Sequence, residues 1–505
     1  MTKKRHTLTT AALIAFVLVG PPLALAGHYV VDNVTTSTNW GAAEWLNYPD
    51  EPSATPCTPE TAMQNAQAGD TVHFRGGTYN VDGCRYNRPR WDPCNDGTSG
   101  AYITFVAYSG EFPIVYNKLA DGETGDSTNA CPTSECNPVG GGGMATAPLI
   151  GARDSSYIIW DGFKTTAKEL VGRVVVWNSD HIIIRNCEIV GHAVNCQAQS
   201  CDMGNYDGIR IESSADITIE NCLIHGNACT DTTHGDGIKI YASQRVEVKE
   251  CSFFDVDSAI VDKDYGRDNE FHHNFVYGLN VAGGEGSAFR PARIASYGPF
   301  SRLKFHHNVV ISDGWPTMKW GLNGGDNTDL EVFNNTLYFT SGDYANFGSR
   351  VSNLKFWNNV ICGASYALSV HESSDGKPTY SDYNCFFNSE RFVVERYEQS
   401  QAEYNSLSAW KTSGALEGGG NPDVHSVNTD PCFLNDSGTM LESADFKLTS
   451  SSPGAFRTGG RGGTHASYIG AWEWPINPSQ QIGYSPVHDD PAVPESPVLS
   501  IVSSQ

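Results

Sequence analysis

One short phrase recurs through the middle of this chain and restricts what it can fold into: apolar-x-apolar-x-x-(Cys or Asn). It reads Ile182-Ile183-Ile184-Arg185-Asn186-Cys187, then Ile217-Thr218-Ile219-Glu220-Asn221-Cys222, then Val246-Glu247-Val248-Lys249-Glu250-Cys251. A degenerate copy ends Phe271-His272-His273-Asn274. Clean copies end at Asn308, Asn335 and Asn359, and fainter ones lie at Tyr157-Ile158-Ile159-Trp160-Asp161-Gly162 and Ser381-Asp382-Tyr383-Asn384. The copies recur about every 28 residues. Two-residue alternation inside the phrase means strand. A strand-based repeat of this period, with loops of varying length, predicts an all-β chain: a single-stranded, right-handed parallel β-helix. No coil buries its apolar face alone, so the coils stack around one core.

The columns follow from the repeat. Ile182, Ile217, Val246, Leu303 and Leu330 are expected to stack inward. The terminal Cys/Asn column falls in the turn, where Asn side chains can bond from rung to rung at about 4.8 Å. Cys187, Cys222 and Cys251 in that column read as buried fillers rather than reactive thiols. A second strand precedes the phrase at Asp207-Gly208-Ile209-Arg210-Ile211 and at Asp236-Gly237-Ile238-Lys239-Ile240. Looser copies follow at Ser258–Lys263, Ser287–Arg290 and Thr317–Trp320.

The flanks divide the chain. Residues 1–26 carry Lys3, Lys4 and Arg5, an apolar stretch from Ala11 to Gly20, and Ala24-Leu25-Ala26. That pattern predicts a secretory signal peptide cut after Ala26, with a secreted or periplasmic product. No apolar run is long enough to span a bilayer. Residues 27–474 are expected to form the β-helix domain with loop insertions, opening with a coil at Gly69–Tyr79. A short helix at 404–414 and a closing coil between Asp430 and Glu473 would end it. Residues 475–505 are Pro- and Ser-rich and read as a tail or linker. All 14 Cys follow the signal, so disulfides are permitted, for example Cys131/Cys136, Cys196/Cys201 and Cys84/Cys94. With 33 Lys plus Arg against 57 Asp plus Glu, the net charge is −24. Nucleic acid is therefore excluded as an expected partner. A monomer is expected.

These features together resemble the pectate-lyase-like superfamily of right-handed β-helix proteins, over most of residues 66–474. Within it, Asp257–Lys263, Asn269–Asn274 and Ala288-Phe289-Arg290 resemble the catalytic strip of alginate-lyase and chondroitinase-B type polysaccharide lyases. The resemblance implies that a Lys and an Arg on neighbouring coils act on the sugar. Lys263 stands at the Lys position, and Arg290, with Arg293 as the alternative, at the Arg position.

The residues themselves point to compatible chemistry. Breaking a uronate polymer by β-elimination requires a cation on the carboxylate and a base at the adjacent proton. An outward column of Arg210, Lys239, Arg290 and Lys319, with Lys263 nearby, would supply both and would attract an acidic polysaccharide. Asp207 and Asp236 fall one coil apart. Stacked carboxylates repel, so Ca²⁺ between them is expected, with Asp257, Asp262 and Asp264 completing an oxygen-rich site. The same aspartates also fit turn caps before Gly208 and Gly237. As an acid–base pair, Asp207 and Asp236 would instead make a polygalacturonase-type hydrolase. A non-catalytic glycan-binding β-helix is the third reading. His272, His273, His306 and His307 fit a surface ladder better than a transition-metal site. His234 and His225 are placed near the cleft for proton transfer or substrate contact, and Tyr265, Trp315 and Trp320 as sugar-stacking platforms.

Overall fold

The computed structural model describes residues 27–34, 56–81, 89–117, 148–167, 173–191, 207–228, 235–279, 287–292, 299–312, 327–340, 344–346, 351–371, 377–389, 391–396, 399–435, 442–462, 468–473 and 480–485. Residues 1–26, the Thr317–Trp320 strand and at least one Cys of each close pair lie outside them. No helix among the described residues is long and apolar enough to cross a membrane.

The chain is a right-handed parallel β-helix. Successive coils feed three sheets. A twelve-stranded sheet runs from His28–Val31 to Pro378–Asp382, and an eleven-stranded sheet from Gly77–Val81 to Cys385–Phe387. A six-stranded sheet comprises Ile150–Arg153, Val174–Trp177, Ile209–Glu212, Ile238–Tyr241, Ser258–Lys263 and Ser287–Ala292. The inward columns match the sequence alternation. Ile158, Ile182, Ile217 and Val246 are successive partners, as are Leu303, Leu330 and Leu354, and all are buried.

The recurring phrase is explained by its last two positions. The penultimate residue takes a left-handed conformation in eight of the copies: Asn186, Asn221, Glu250, His273, His307, Asn334, Asn358 and Tyr383 have φ between 48° and 59°. Asn tolerates that region better than most side chains, hence its frequency there. The final residue then turns inward and builds the expected ladder. The Cys251 amide donates to Asn274 Oδ1 (3.0 Å), that of Asn274 to Asn308 Oδ1 (3.0 Å), that of Asn308 to Asn335 Oδ1 (3.1 Å) and that of Asn335 to Asn359 Oδ1 (3.0 Å). Cys187, Cys222 and Cys251 fill the same column, with their thiols donating to carbonyls two residues back. Burial pushes the Cys187 and Cys222 thiols well above their usual range, so they are inert fillers. Asn335→Ala would orphan the carbonyls of Phe305 and Phe333 and the Asn308 amide. It is expected to lower stability by about 2–4 kcal/mol in denaturant titration. Asn335→Cys should lose less, because Cys already serves in this column.

The degenerate copy has a structural cause. Register places Asn269, not an aliphatic residue, beside Val246. Its Oδ1 accepts the Val246 amide (2.9 Å), and its Nδ2 donates to buried Asp262 (2.9 Å). The adjoining space is filled by Phe271, Phe289 and Phe305, with ring centroids 4.9 and 5.1 Å apart.

Both core ends are plugged. Helix Pro59–Asn65 buries Ala62 and Met63 at one end. Helix Leu407–Trp410 buries Trp410 at the other, where its Nε1 donates to Asp423 (2.8 Å), which also accepts from Asn384 (2.8 Å) and so ends the ladder. The segment expected as a closing coil takes a different path. Phe433, Phe446, Leu448, Phe456, Ile469, Trp472 and Ile482 cover the outer face of the eleven-stranded sheet, against Val309, Ile311, Val360 and Cys362. The reason is composition: that outer face is apolar and must be covered. Part of the expected tail is docked too. The Gly483 amide donates to the His273 carbonyl (2.8 Å), and Ser485 exchanges two bonds with Asn221 (2.7 and 2.9 Å).

Candidate functional site

The six-stranded sheet turns two columns outward. One holds Val175, Arg210, Lys239, Val261 and Arg290; the other holds Trp177, Glu212, Tyr241 and Lys263. Arg210, Lys239 and Arg290 thus share one column, and Lys263 stands in the next. Lys319, Trp320, Trp315, Arg293 and His234 lie outside the described residues.

Lys239 occupies the floor rather than the face. Its side chain has no exposed surface, and its ammonium sits 2.9 Å from Asp207 Oδ1 and 2.6 Å from Asp236 Oδ2. Burial alone would lower its pKa, but the two carboxylates outweigh that and raise it. It is locked in the charged form and cannot accept a proton at neutral pH. Asp207 is also buried, which would raise its pKa. Lys239, then Arg173 (3.8 Å) and Arg210 (3.6 Å), hold it below the usual carboxylate range. Arg210 is tied in turn to Glu212 (3.0 Å).

These contacts answer the calcium expectation. The cation between the stacked aspartates is the Lys239 ammonium. Asp257 accepts the Gly235 amide (2.7 Å). Asp262 is in register with Ile211 and Ile240 and faces the core, where burial pushes its carboxyl up to about 7. Asp207, Asp236, Asp257 and Asp262 therefore do not converge on one point, and the residues present do not fit Ca²⁺. Among the described residues no three His, Cys, Asp or Glu side chains are grouped as metal ligands. The same burial removes Asp207 and Asp236 from contact with a polymer, so they do not form a hydrolase acid–base pair.

Lys263 is different. It stands beside Tyr241 in register, with Nζ 5.8 Å from the ring centroid. It is 8% exposed and makes no ion pair among the described residues. Burial, reinforced by Lys239 and Arg290 and opposed by Asp236 and Asp207, brings its pKa down to about 8. A substantial neutral fraction is then present at physiological pH. Arg290 is on the neighbouring strand, partnering Val261.

Immediately past the strand ends lies a cleft of about 600 Å³, lined among others by Ser213, Ala242, Tyr265 and Arg267. Ser213 and Ala242 directly follow Glu212 and Tyr241, and Tyr265 is two residues beyond Lys263. Tyr265 is 55% exposed, held out by consecutive left-handed residues, Asp264 and Tyr265. Beneath the cleft runs a serine ladder unnoticed in the sequence: the Ser155, Ser179 and Ser214 amides donate to Ser179, Ser214 and Ser243 Oγ (3.2, 3.2 and 3.1 Å). Its signal was a Ser three residues before the inward aliphatic in four successive phrases, at Ser155, Ser179, Ser214 and Ser243. Arg173 and Tyr241 were also missed; aligning the second strand column by column would have exposed Tyr241.

The histidines lie elsewhere. His225 stacks on Phe254 and pairs with Glu188 (3.0 Å), on the eleven-stranded sheet. His272 stacks on His306 (4.9 Å) and His273 on His307 (5.0 Å). The ladder exists, but it is covered rather than exposed, with Tyr468 bonded to His307 (2.9 Å). Burial lowers His273 to about 3 and His307 well below the usual range. Beside them, the His306 contact (2.7 Å) holds Glu270 down at about 2. Histidines with depressed native pKa values resist protons that the unfolded chain accepts below about 6.5. Glu270 adds stability that is lost from about 4.5 downward. Melting temperature should therefore hold above pH 6.5 and fall by several degrees toward pH 4 in a thermal scan. His307→Asn, which keeps a residue suited to positive φ, should flatten that fall.

Comparison with known proteins gives the following. A family model described as a right handed beta helix region matches residues 171–314, which contain the strip. A pectate lyase structure is 16% identical, with a TM-score of 0.46, covering 88% of this chain and 96% of its own. A family 6 polysaccharide lyase from Pseudopedobacter saltans is 9% identical, with a TM-score of 0.38, covering 82% and 97%. A mannuronic acid specific family 6 lyase from human gut microbiota is 14% identical, with a TM-score of 0.39, covering 74% and 77%. No curated protein matches the chain. Folds of this kind carry many chemistries, so function is argued from the strip.

Proposed function

We propose that this right-handed parallel β-helix protein is an exported polysaccharide lyase that cleaves a uronate-containing glycan by β-elimination. The observation that carries the reading is Lys263: a nearly buried amine on the outward face, without an ion pair among the described residues and with a pKa near 8. Its neighbour Lys239 has its charge satisfied by two carboxylates. The fold thus keeps one lysine as a fixed cation and leaves the other free to take a proton.

In this reading the glycan lies across the outward columns and continues over the Tyr265 cleft. Arg290 and Arg210 bind the uronate carboxylate and stabilise the enolate as it forms. Neutral Lys263 removes the proton beside the carboxylate. Tyr265 stacks on the adjoining sugar. Each step uses side chains of this chain.

The test is incubation of the purified protein with a panel of polyuronates and uronate-containing glycans, monitored at the unsaturated-uronate absorbance. A rise in absorbance with new chain ends is expected on at least one acidic glycan. New reducing ends without that absorbance would replace the reading with hydrolysis. Binding without turnover would replace it with a non-catalytic module.

A further inference from the structure

Elimination needs a second proton transfer that the base alone leaves open: the glycosidic oxygen must be protonated as it departs. We infer that Tyr241 is the group that protonates the leaving oxygen, working as a pair with Lys263 one rung away. The inference rests on the lyase reading above.

Tyr241 ends the strand Ile238–Tyr241, and its register partner on the next strand is Lys263. Both side chains point outward in one column, so they project side by side at strand spacing, about 4.8 Å. The ring is set between two cations, Arg210 with Cζ 4.7 Å from its centroid and Lys263 with Nζ at 5.8 Å. The hydroxyl makes no hydrogen bond among the described residues. Tyr241 is only partly buried and its hydroxyl reaches solvent, so the O–H is open to a ligand. Burial raises the Tyr241 pKa. Lys239 and Arg210 oppose that, while Asp207 and Asp236 add to it. The phenol therefore keeps its proton throughout the range in which Lys263 becomes neutral.

The atoms balance. Neutral Lys263 takes the C5 proton, and the C–H electron pair passes into the enolate of the carboxylate. That pair then forms the C4–C5 double bond as the C4–O bond breaks toward oxygen. The Tyr241 O–H proton goes to the departing oxygen, leaving a phenolate in the field of Lys239 and Arg210, with the Lys263 ammonium on the next strand. Lys263 returns its proton to the phenolate, directly or through one water, and both groups are reset. The net change moves one proton from carbon to the leaving oxygen and requires no co-reactant.

The experiment compares the parent protein with Tyr241→Phe on the acidic glycan identified by the panel. Phe keeps the ring and its cation contacts and removes only the hydroxyl. The expected result is a 10²- to 10⁴-fold fall in kcat, a KM within threefold, and an unchanged melting temperature. On a synthetic uronide with a 4-nitrophenoxy leaving group at C4, which departs without protonation, the two proteins should differ by less than tenfold. A Tyr241→Phe kcat within threefold of the parent on the polymer overturns the inference and leaves the lyase reading standing. An equal loss on both substrates also overturns it, because the hydroxyl would then serve the proton abstraction. Absence of unsaturated product from the parent overturns the lyase reading and the inference with it.

Discussion

Lys263→Met is expected to lower the rate of uronate elimination about 10³-fold or more while leaving the protein as stable as the parent or more so. The two effects come from one cause. The fold holds a cation in a site that opposes it, which is why the amine titrates near 8 rather than 10.5. A lysine pKa depressed on folding destabilises the native state wherever the unfolded lysine is charged and the folded one is not favoured as a cation. That penalty is about 3 kcal/mol at neutral pH. It diminishes as pH rises through 8 and vanishes above about 10.5. Met fills similar volume without the charge, so the variant should melt higher at pH 7, and its advantage should shrink between pH 8 and 10.5. Below pH 8, kcat/KM of the parent should rise tenfold per unit, because only the neutral amine accepts the proton. A variant that keeps a tenth of the parent rate would remove Lys263 from the chemistry.

Lys239→Met, one rung away, should do the reverse. This ammonium is the counterion shared by Asp207 and Asp236, all three buried. Removing it leaves Asp236 without its ion pair and Asp207 with Arg173 and Arg210 only at 3.8 and 3.6 Å. A loss of about 3–5 kcal/mol is expected at pH 7, measured by denaturant unfolding. The sign with pH is distinctive. Protonation relieves the repulsion, so the deficit should narrow as pH falls toward the carboxylate range. Adding Asp207→Asn and Asp236→Asn should recover most of the loss. Because the Lys239 charge also depresses Lys263, the activity that remains should rise at higher pH than in the parent. A deficit independent of pH would mean that packing, not charge, is what Lys239 supplies.

The two lysines show where sequence reading reaches its limit. Arg210, Lys239 and Arg290 were placed in one outward column by spacing alone, and that is where they stand. The burial of Lys239 was not legible. Whether an outward side chain meets solvent depends on the segments before the strand, and here Asp207 and Asp236 close over Lys239. The aspartates illustrate the same limit. Their stacking and need for a cation followed from the repeat, but the identity of the cation was decided by a side chain three residues later. Asp262, expected to help complete a calcium site, lies on a loosely patterned strand that does not show which way it faces. Only its pairing with Ile240 and its bond to Asn269 turn it inward. The path of the chain after Phe433 was equally invisible. Apolar residues at irregular spacing do not say which sheet face they cover.

By itself the sequence determined the β-helix, its inward columns, the Cys/Asn ladder and the cationic column. All of these repeat at a fixed offset, and a solenoid converts offset in the chain directly into position in space. The tertiary structure decided which of two neighbouring lysines is a counterion to two carboxylates and which has no ion pair among the described residues. It also set the Tyr241 ring beside Arg210 and Lys263. Those outcomes depend on distances between coils and on exclusion of water, and neither is a periodic property of the chain.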